Sequence, residues 1–457
     1  MKERLRIAIN AQLAPDGASG GTVTVLRALA ALARLEDGDE EYVFIAPHDE
    51  PEWLQSLLPA RQLVVRGPAP SEWKTDRLEP LKRALGPLRP VARGVRRFLG
   101  ASATATMMMD TGAPVSPEAL APAAAPQNFY EGLGCDVIHF PFQSFEPCAV
   151  PFVYNPHDLQ HLHHPEFFTD SEIARRERLH PAACRAAHTV VVASQLVKRD
   201  LVERYGIESE KVQVIPWAPP PLPEVASESR ADALLTLEAK HGLTDGPFAL
   251  YPAMTWEHKN HIRLLEALAR LRDRESLRLR VVCTGHKTDF WPRIEGRAGE
   301  LGLKEQVKFT GFVSREELSA LYRAAQFVFI PTLFEAASAP LYEAWQHGAP
   351  AACSAVTSLP EQAAGAALLF DPLSVEEIAL ALARMATDER LRDDLKERGA
   401  RRLKDFSLER TAKAYRAVYR RAAGRALGEE DRRLLGWDWM SDRSVIEDQT
   451  PTKERET

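Results

Sequence analysis

The sequence predicts an α/β protein with two parallel sheets, and two observations support this prediction. Short β-branched runs alternate with helical patterns along most of the 457 residues, and most of these runs are apolar throughout. Continuous apolar runs are typical of parallel strands that are buried on both faces. A proline-rich segment at residues 216–223 interrupts the alternation, and prolines at this density exclude a helix. We therefore expect two similar α/β domains joined by an extended linker.

Each element is predicted from its apolar spacing. Strands of the first half are expected at residues 6–9, 42–45, 63–65, 136–140, 152–154, 189–192 and 212–215. Helices of this half are expected at 22–35 and at 195–205, where Ser194 precedes the helix as an N-cap. Strands of the second half are expected at 248–250, 279–283, 307–309, 327–330 and 351–353, and helices at 261–273, 315–325, 340–347 and 375–386. Ligands bind outside the carboxyl ends of parallel strands, so we expect the functional site between the two sheets.

Composition excludes several classes of protein. The 58 Lys and Arg residues against 64 Asp and Glu give a net charge of −6, which argues against a nucleic-acid partner. The longest charge-free run, 344–360, is shorter than the roughly 20 apolar residues of a membrane-spanning helix, and the first residues do not form a secretory signal. We therefore place the protein in the cytoplasm. The five cysteines are never spaced as Cys-x-x-Cys, so we expect buried free thiols.

Residues 71–127 interrupt the alternation and are predicted to be an insertion in the first domain. Its first part, 71–100, holds eight Lys and Arg residues against three acidic ones. We favour a solvated insertion, and the alternative is that residues 74–97 dock reversibly on an anionic membrane, peripheral to its inner face. The prolines in this segment exclude a single amphipathic helix. Residues 434–457 are predicted to be a disordered tail.

The strongest constellation of polar residues lies at 327–348, where a strand, a tight loop and a short helix follow one another. Pro340 suits the first turn of that helix, and Gly348 suits the position just after its end. The free N–H groups of a helix N-terminus bind phosphate well, and Glu335 and Glu343 flank this terminus. They are spaced to bracket a diphosphate, with one carboxylate on a ribose and the other on a sugar ring. Taken alone, the pair also fits two acids that favour a helix start.

A second polar segment, His258 to His261, opens the helix at 261–273. Lys259 at a helix start opposes the helix dipole unless an anion lies beside it, and a bound diphosphate would supply that anion. The alternative is a lysine that extends into solvent.

In the first half, Gly20 and Gly21 belong to a glycine-rich loop between a strand and a helix, which allows a ligand to approach the backbone. A plain surface turn is the alternative, because the Gly-x-Gly-x-x-Gly fingerprint is absent.

The segment after the strand at 152–154 contains four histidines and an aspartate. His157 and His161 would share a face of a helix, as in some metal sites, but the flanking prolines confine any helix, so we disfavour a metal. His157 beside Asp158 is the better candidate for orienting a substrate hydroxyl. We expect Asp158 and His161 on the acceptor side of the cleft.

In their order and spacing, these segments resemble the retaining nucleotide-sugar glycosyltransferases of family 4, which have the GT-B fold of two Rossmann-like, doubly wound domains. The resemblance covers residues 1–425 apart from the insertion. The segments that match the family pattern are Gly20 and Gly21, residues 157–168, 192–194, 214–216, 258–261, Gly311 with Phe312, residues 335–343 and 358–361. It implies an acceptor-side domain at 1–217, a donor-binding domain at 218–407, and a helix at 408–427 that crosses back to the first domain.

The resemblance also implies roles for single residues. The glycine loop, Lys259 and the amides around Ser338 and Ala339 meet the donor diphosphate, Glu335 binds the donor sugar and Glu343 the ribose, and His157 lies beside the reacting sugar. The family usually works without a bound metal or other cofactor. The leaving diphosphate accepts the proton of the acceptor on the same face, while the protein orients the reactants and stabilises charge.

Two departures from the family pattern affect the donor site. Met254 replaces the usual Arg five positions before the matched Lys. The usual Gly-Phe-Gly-Leu-Pro is Ala-Ala-Ser-Ala-Pro at 336–340, so Ala336 and Ser338 add Cβ atoms near the phosphate. Ser338 and His258 are expected to compensate with a hydroxyl and a proton. The prediction is a hexosyltransferase, with mannose favoured, for a sugar or lipid-linked acceptor in bacterial surface-polysaccharide or glycolipid assembly. The alternatives are a catalytically silent nucleotide-sugar-binding protein and, less favoured, a sugar-nucleotide epimerase.

Overall fold

A computed structural model describes residues 4–12, 20–35, 37–47, 54, 58, 63–67, 129–219, 221–222, 230–243 and 246–438. The predicted insertion at 71–127, with its basic segment at 74–97, lies outside these residues. The same holds for the end of the predicted tail, from residue 439 onward. The predictions for both segments therefore stay predictions.

The first domain is built on a parallel sheet that has seven strands within the described residues. Its strands are β1 (Leu5–Asn10), β2 (Glu40–Ala46), β3 (Leu63–Arg66), β4 (Val137–Phe140), β5 (Phe152–Tyr154), β6 (Thr189–Val192) and β7 (Val212–Val214). They are arranged in the order β3-β2-β1-β4-β5-β6-β7, and Ile7 is in register with Tyr42 on one side and Val137 on the other. From β1 the strands are added on one side as far as β3, and from β4 onward they are added on the other side. Such a reversal of strand order places a ligand cleft outside the carboxyl ends of β1 and β4.

Helices cover the faces of this first sheet. They are α1 (Gly20–Leu32), α2 (Phe129–Gly132), α3 (Gln160–His163), α4 (Asp170–Ala186) and α5 (Gln195–Tyr205). The predicted cap at Ser194 is confirmed, because its Oγ accepts from the Val197 N–H at the start of α5. Thr169 and Glu172 cap the start of α4 in a reciprocal capping box.

The second domain repeats this architecture around a parallel sheet whose described part has six strands. They are β8 (Phe248–Pro252), β9 (Arg280–Thr284), β10 (Val307–Gly311), β11 (Phe327–Ile330), β12 (Ala351–Ser354) and β13 (Leu368–Phe370). The order is β10-β9-β8-β11-β12-β13. The prediction missed β13, because this three-residue edge strand exposes Leu369 and therefore lacks the fully apolar pattern of a buried strand.

The helices of the second domain surround its sheet. They are α6 (Arg230–His241), α7 (His261–Glu275), α8 (Trp291–Glu300), α9 (Arg315–Ala324), α10 (Ala339–Gln346), α11 (Leu359–Ala363), α12 (Val375–Thr387) and α13 (Glu389–Leu403). The linker residues that are described, 216–219 with 221 and 222, form neither helix nor strand. Trp217 in this linker packs against the apolar clusters of both domains.

The chain then returns to the first domain through α14 (Leu408–Ala422) and α15 (Glu429–Leu435). Tyr415 and Tyr419 of α14 are buried in the same apolar cluster as Leu29 of α1. The helix ends at Ala422 and not at residue 427 as predicted. The predicted start of the tail at 434 is wrong, because Leu434 is buried in this cluster and the helix α15 holds it there.

The five cysteines are free thiols, as predicted. Four of them are buried, at positions 135, 184, 283 and 353, and Cys148 is half-buried. In the part of the chain that the structure describes, no helix has both the length and the apolar character needed to cross a bilayer.

Candidate active site

Lys259 lies just beyond the carboxyl end of β8, in a single 3₁₀ turn (Glu257–Lys259) that precedes α7. The Tyr251 hydroxyl donates to the Lys259 carbonyl at 2.6 Å. Asn260 has a left-handed backbone, with φ of 61°, and joins the turn to α7. Its buried side-chain amide donates to the carbonyls of Pro331 and Pro372, at 2.9 and 2.8 Å. Asn260 therefore fixes the loop that carries Lys259 to the loop that follows β11.

Glu335 lies in that second loop and pairs with Lys259. The Lys259 Nζ atom is 2.6 Å from the Glu335 Oε1 atom, and the two side chains are 19% and 13% exposed. We predicted that an anion must offset the charge of Lys259 at the helix start, and a diphosphate was the expected source. The Glu335 carboxylate supplies one negative charge beside Lys259, and the contact of Lys259 with a diphosphate stays a prediction.

The backbone of Glu335 is held from the segment after β12. Its N–H donates to the Thr357 Oγ1 atom at 3.0 Å, and its carbonyl accepts from the Ser358 Oγ atom at 2.9 Å. Thr357 has φ of 55°, a left-handed conformation that is rare for a β-branched residue. Strain of this kind persists only where the surroundings fix the backbone, and here it places the hydroxyl of Thr357 under the loop of Glu335.

The helix α10 begins directly after this loop, with Ser338 as N-cap and Pro340 in its first turn, as predicted. Gly348 follows its end with φ of 69°, which also agrees with the prediction. The Ser338 N–H and carbonyl are both bonded to the Gln362 side-chain amide at 2.8 Å. The Ser338 hydroxyl is buried and has no partner within the described residues. This hydroxyl is therefore available to a ligand at the helix start.

Glu343 lies within α10 and is directed toward the first domain. Its Oε2 atom accepts from the Tyr322 hydroxyl at 2.6 Å. Burial raises the pKa of the Glu343 carboxyl, and the Tyr322 bond and the charges of Arg27 and Arg315 lower it in part. Arg27 belongs to α1, so the electrostatic surroundings of Glu343 come from both domains.

His157 follows β5 with a left-handed backbone, φ 63°. One ring nitrogen, Nε2, lies 2.7 Å from the Pro141 carbonyl, so it carries the hydrogen when the ring is neutral. Burial lowers the pKa of His157 and favours this neutral form. Asp158 next to it accepts from the Arg176 guanidinium at 3.1 Å and from the Gln160 N–H at 3.1 Å.

His161 does not face the cleft. Its side chain has no exposed surface, and its Nε2 atom lies 2.8 Å from the Glu177 carboxylate and 3.1 Å from the Tyr205 hydroxyl. This position argues against the acceptor-side role predicted for it. The shared helical face with His157 is also wrong, because α3 begins at Gln160, after the turn at His157.

His258 lies at the domain interface, where its ring is 6.2 Å from that of Phe167. Burial and the charge of Lys259 hold the pKa of His258 well below its usual value. This shift favours the neutral ring, and the expectation that His258 supplies a proton at the donor site stays a prediction. Gly20 and Gly21 form the first turn of α1, where we predicted a loop. Their backbone N–H groups thus belong to a helix N-terminus.

One of the two departures at the donor site has a packing explanation, and nothing in the structure explains the Met254 side chain. Ala336 is buried in the apolar cluster of the first domain, together with Phe334. Its methyl group thus contributes to the closure of the two domains. Gly285 has φ of 116°, and the backbone of Ala253 and Met254 lies close against it. A Cβ atom on residue 285 would lie 2.7 Å from the backbone of Ala253. The loop that contains Met254 therefore packs closely against the residue that follows β9.

A buried polar network that the sequence did not reveal supports the His157 loop. The His139 ring lies 2.6 Å from the Asn155 side chain and 2.7 Å from the Tyr419 hydroxyl, and the Asn155 amide donates to the Tyr415 hydroxyl at 3.1 Å. Burial lowers the pKa of His139 to about 3. The signal in the sequence is a histidine inside an otherwise apolar strand. One of its partners, Tyr419 on the returning α14, lies 280 residues further along the chain, beyond the reach of local patterns.

The described residues contain no group of three His, Cys, Asp or Glu side chains arranged to hold a metal ion.

Two family models match the chain, one on each side of the linker. The model for "Glycosyl transferases group 1" matches residues 236–402, and that for "Glycosyltransferase Family 4" matches residues 113–218. The chain belongs to the family 4 glycosyltransferases. This confirms the family predicted from the sequence, and the matched residues include Lys259, Glu335, Glu343 and His157.

Curated relatives of this glycosyltransferase include mannosyltransferases. The chain is 26% identical over 267 residues to the O-antigen chain mannosyltransferase B of Escherichia coli, a match that spans 57% of this chain and 69% of the relative. It is 30% identical over 228 residues to the serotype-specific mannosyltransferase WbdA of Escherichia coli. That match spans 50% of this chain but only 28% of the relative.

Solved structures show that this glycosyltransferase has the predicted GT-B fold. Anabaena HepE, in complex with UDP and glucose, aligns with a TM-score of 0.63 at 15% identity over 91% of this chain and 99% of that one. WaaG, a glycosyltransferase involved in lipopolysaccharide biosynthesis, aligns with a TM-score of 0.59 at 18% identity over 90% and 99%. At these identities the likeness concerns the fold alone.

Proposed function

We propose that this glycosyltransferase transfers a hexosyl unit, with mannose as the first candidate, from a nucleoside-diphosphate sugar to a sugar or lipid-linked acceptor, with retention of configuration. The observation that carries the proposal is the Lys259–Glu335 ion pair at 2.6 Å, beside the N-terminus of α10. A cation, a carboxylate and free helix N–H groups in one place suit a sugar diphosphate, which offers phosphate oxygens and hydroxyl groups together.

On the donor side, we assign the diphosphate to Lys259, to the Ser338 hydroxyl and the Ala339 N–H, and to the first turn of α1 at Gly20 and Gly21. His258 adds a neutral N–H donor at the same end of the second sheet. Glu335 then accepts from hydroxyls of the sugar ring, and Glu343 accepts from the ribose. The buried hydroxyl of Ser338, which lacks a partner within the described residues, supports this assignment, because a ligand oxygen would satisfy it.

On the acceptor side, we assign His157 to the reacting sugar and Asp158 to the orientation of the acceptor. The glycosidic bond to the diphosphate breaks, the acceptor oxygen bonds to the anomeric carbon on the same face, and its proton passes to the leaving phosphate oxygen. The positive end of α10 and Lys259 stabilise the charge that develops on that leaving group. This supply of positive charge supports a reaction that needs no bound metal.

For the biological process, we propose bacterial surface-polysaccharide or glycolipid assembly, on the cytoplasmic side of the membrane. Support comes from the relatives, whose names describe O-antigen chain and serotype-specific mannosyltransferases. The reversible membrane contact through 74–97 stays a prediction, and deletion of 71–100 tests it. The deletion should lower the fraction that sediments with anionic liposomes, and an unchanged fraction would make the segment a plain insertion.

The direct test incubates the protein with GDP-mannose, UDP-glucose and other sugar nucleotides, and measures free nucleoside diphosphate together with the anomeric configuration of the product. We expect release with one donor, an α-linked product from an α-linked donor, and loss of release in Glu335→Ala. A product of inverted configuration would contradict the retaining mechanism. No release from any donor would contradict the transferase assignment.

The departures at Met254 and Ala336 favour one second candidate, a protein that binds sugar nucleotides without turnover. A thermal-shift panel of UDP, GDP and ADP separates the candidates when combined with the release assay. At a hundredfold excess over Kd, the true ligand stabilises the fold by about 2.7 kcal/mol. Stabilisation without release would favour the silent protein.

A further inference from the structure

A chain of polar contacts lies beneath Glu343 and connects two helices of the second domain, α9 and α10. The Tyr322 hydroxyl, on α9, donates to the Glu343 Oε2 atom at 2.6 Å. The Tyr322 ring stacks on the imidazole of His347, with 5.1 Å between centroids and 10° between planes. The His347 Nδ1 atom lies 2.7 Å from the Glu343 carbonyl, and its Nε2 atom lies 2.8 Å from the Ser319 Oγ atom. The carboxylate, the tyrosine and the histidine thus form one unit.

The hydrogen positions in this unit follow from its acceptors. The Glu343 carbonyl can only accept, so the His347 Nδ1 atom must donate to it. Burial lowers the pKa of His347, so its ring is neutral and the Nε2 atom accepts from the Ser319 hydroxyl. Both ring nitrogens are therefore engaged. The fixed imidazole plane in turn fixes the plane of the Tyr322 ring that stacks on it.

The two oxygens of the Glu343 carboxylate are consequently not equivalent. Oε2 receives the single hydrogen of the Tyr322 hydroxyl, whereas no described residue donates to Oε1. Arg27 of the first domain and Arg315 of the second are electrostatic neighbours of this carboxylate, so it stands where the two domains face each other. Oε1 is the atom that a ligand in the cleft would meet.

We propose that Tyr322 and His347 are positioning residues that aim the Glu343 Oε1 atom at one ribose hydroxyl of the donor, and so make the protein select ribonucleotides over deoxyribonucleotides. The proposal rests on the proposed function, because it needs a nucleoside diphosphate in the cleft. It adds that selection comes from a carboxylate held at one oxygen. A carboxylate free to rotate would have to lose that freedom upon binding and would discriminate less.

The test compares Tyr322→Phe with Tyr342→Phe by titration calorimetry. Tyr342 is a matched control, because it is equally buried and its hydroxyl has no partner within the described residues. The probes are UDP, GDP and ADP and, for each one that binds, its 2′-deoxy and 3′-deoxy forms. Tyr322→Phe should weaken the binding of the ribonucleotide about tenfold, as expected for loss of one hydrogen bond to a charged group. The ratio of ribo to deoxy affinity should fall toward one, and Tyr342→Phe should keep the wild-type ratio.

Two further variants keep the test decisive if Tyr322→Phe folds poorly. His347→Phe retains the ring stack but loses both imidazole hydrogen bonds, and it should lower the same ratio in the same direction. In a Glu343→Gln background, Tyr322→Phe should cause no further loss, which shows that both residues act through one carboxylate. In turnover, Tyr322→Phe should raise KM for the sugar nucleotide and leave kcat within about twofold.

The outcomes separate this inference from the proposed function. A wild-type protein that binds none of the nucleotides overturns both. A wild-type protein that binds one of them, with an unchanged ribo to deoxy ratio in Tyr322→Phe, overturns the positioning role and leaves the transferase assignment intact. Equal loss for ribo and deoxy forms in Tyr322→Phe would reduce Tyr322 to a structural contact and would likewise overturn the inference.

Discussion

The ion pair on the second-domain side of the cleft contrasts with two histidines of the first domain that burial keeps neutral. Lys259 and Glu335 form an ion pair at 2.6 Å, and loops after β8, β11 and β12 fix their backbones. In the first domain, His157 and the fully buried His139, whose network supports the His157 loop, both have lowered pKa values and bond to a carbonyl, an amide and a hydroxyl.

The difference fits the two tasks of a glycosyl transfer. A donor diphosphate is an anion, and its departure requires fixed positive charge nearby. An acceptor hydroxyl is neutral and requires orientation, which neutral hydrogen-bonding groups supply without a large desolvation cost. We therefore propose that the donor binds beside Lys259 and Glu335, and that the acceptor is oriented from the His157 side.

The largest expected effect comes from Lys259→Ala in the second domain. We expect the barrier to transfer to rise by roughly 2–4 kcal/mol, because a contact that stabilises the leaving group is lost. The measurement is kcat with saturating donor, and the exposed Lys304→Ala in the same domain is the control. Unchanged turnover in Lys259→Ala would remove this lysine from the mechanism.

The free energy of unfolding should decrease in acid because of the buried histidine His139. The pKa of His139 is about 3 in the folded protein and 6.5 in its ordinary state, so the unfolded chain takes up the proton first as the pH falls. The stability is complete above about pH 6.5 and decreases toward pH 3, with a loss of about 2 kcal/mol near pH 5 from His139 alone. Urea unfolding at both pH values measures this loss. An equal pH slope in His139→Gln would show that His139 does not titrate as described.

A smaller effect is expected where the network reaches α14. Tyr415→Phe removes the acceptor of the buried Asn155 amide and should lower the free energy of unfolding by roughly 1–3 kcal/mol. Tyr342→Phe is the control, since its hydroxyl has no partner among the described residues. Equal stability of the two variants in urea unfolding would mean that the network contributes nothing.

The smallest expected effect is that of metal removal. Because Lys259 and the N-terminus of α10 supply positive charge to the diphosphate, the rate in excess EDTA should stay within about twofold of the untreated rate. Added Mg²⁺ or Mn²⁺ serves as the comparison. A rate that collapses in EDTA and returns with Mn²⁺ would assign the second domain a metal that this mechanism omits.

Sequence patterns predicted the sheets well because their strands are apolar on both faces. The exceptions are instructive. The edge strand β13 exposes Leu369, and thus has no such pattern. The start of α1 at Gly20 was placed two residues late, because glycines suggest a loop until tertiary contacts recruit them into a helix.

The sequence identified candidate residues for the site but not the contacts between them. The motif around His258 to His261 identified Lys259, yet local spacing holds no information about Glu335, 76 residues further on, as its partner. His161 was misplaced for the same reason. Its burial depends on Glu177 and Tyr205, which reach it from α4 and α5.

The return of α14 to the first domain has a consequence for synthesis of the chain on the ribosome. Leu26 and Leu29 of α1 precede the second domain in the chain, yet they share an apolar cluster with Tyr415, Val418 and Tyr419, which follow it. The amino-terminal half therefore waits with an uncovered apolar face while the whole second domain is translated. During that interval the nascent protein is a natural client for chaperones that shield hydrophobic surface.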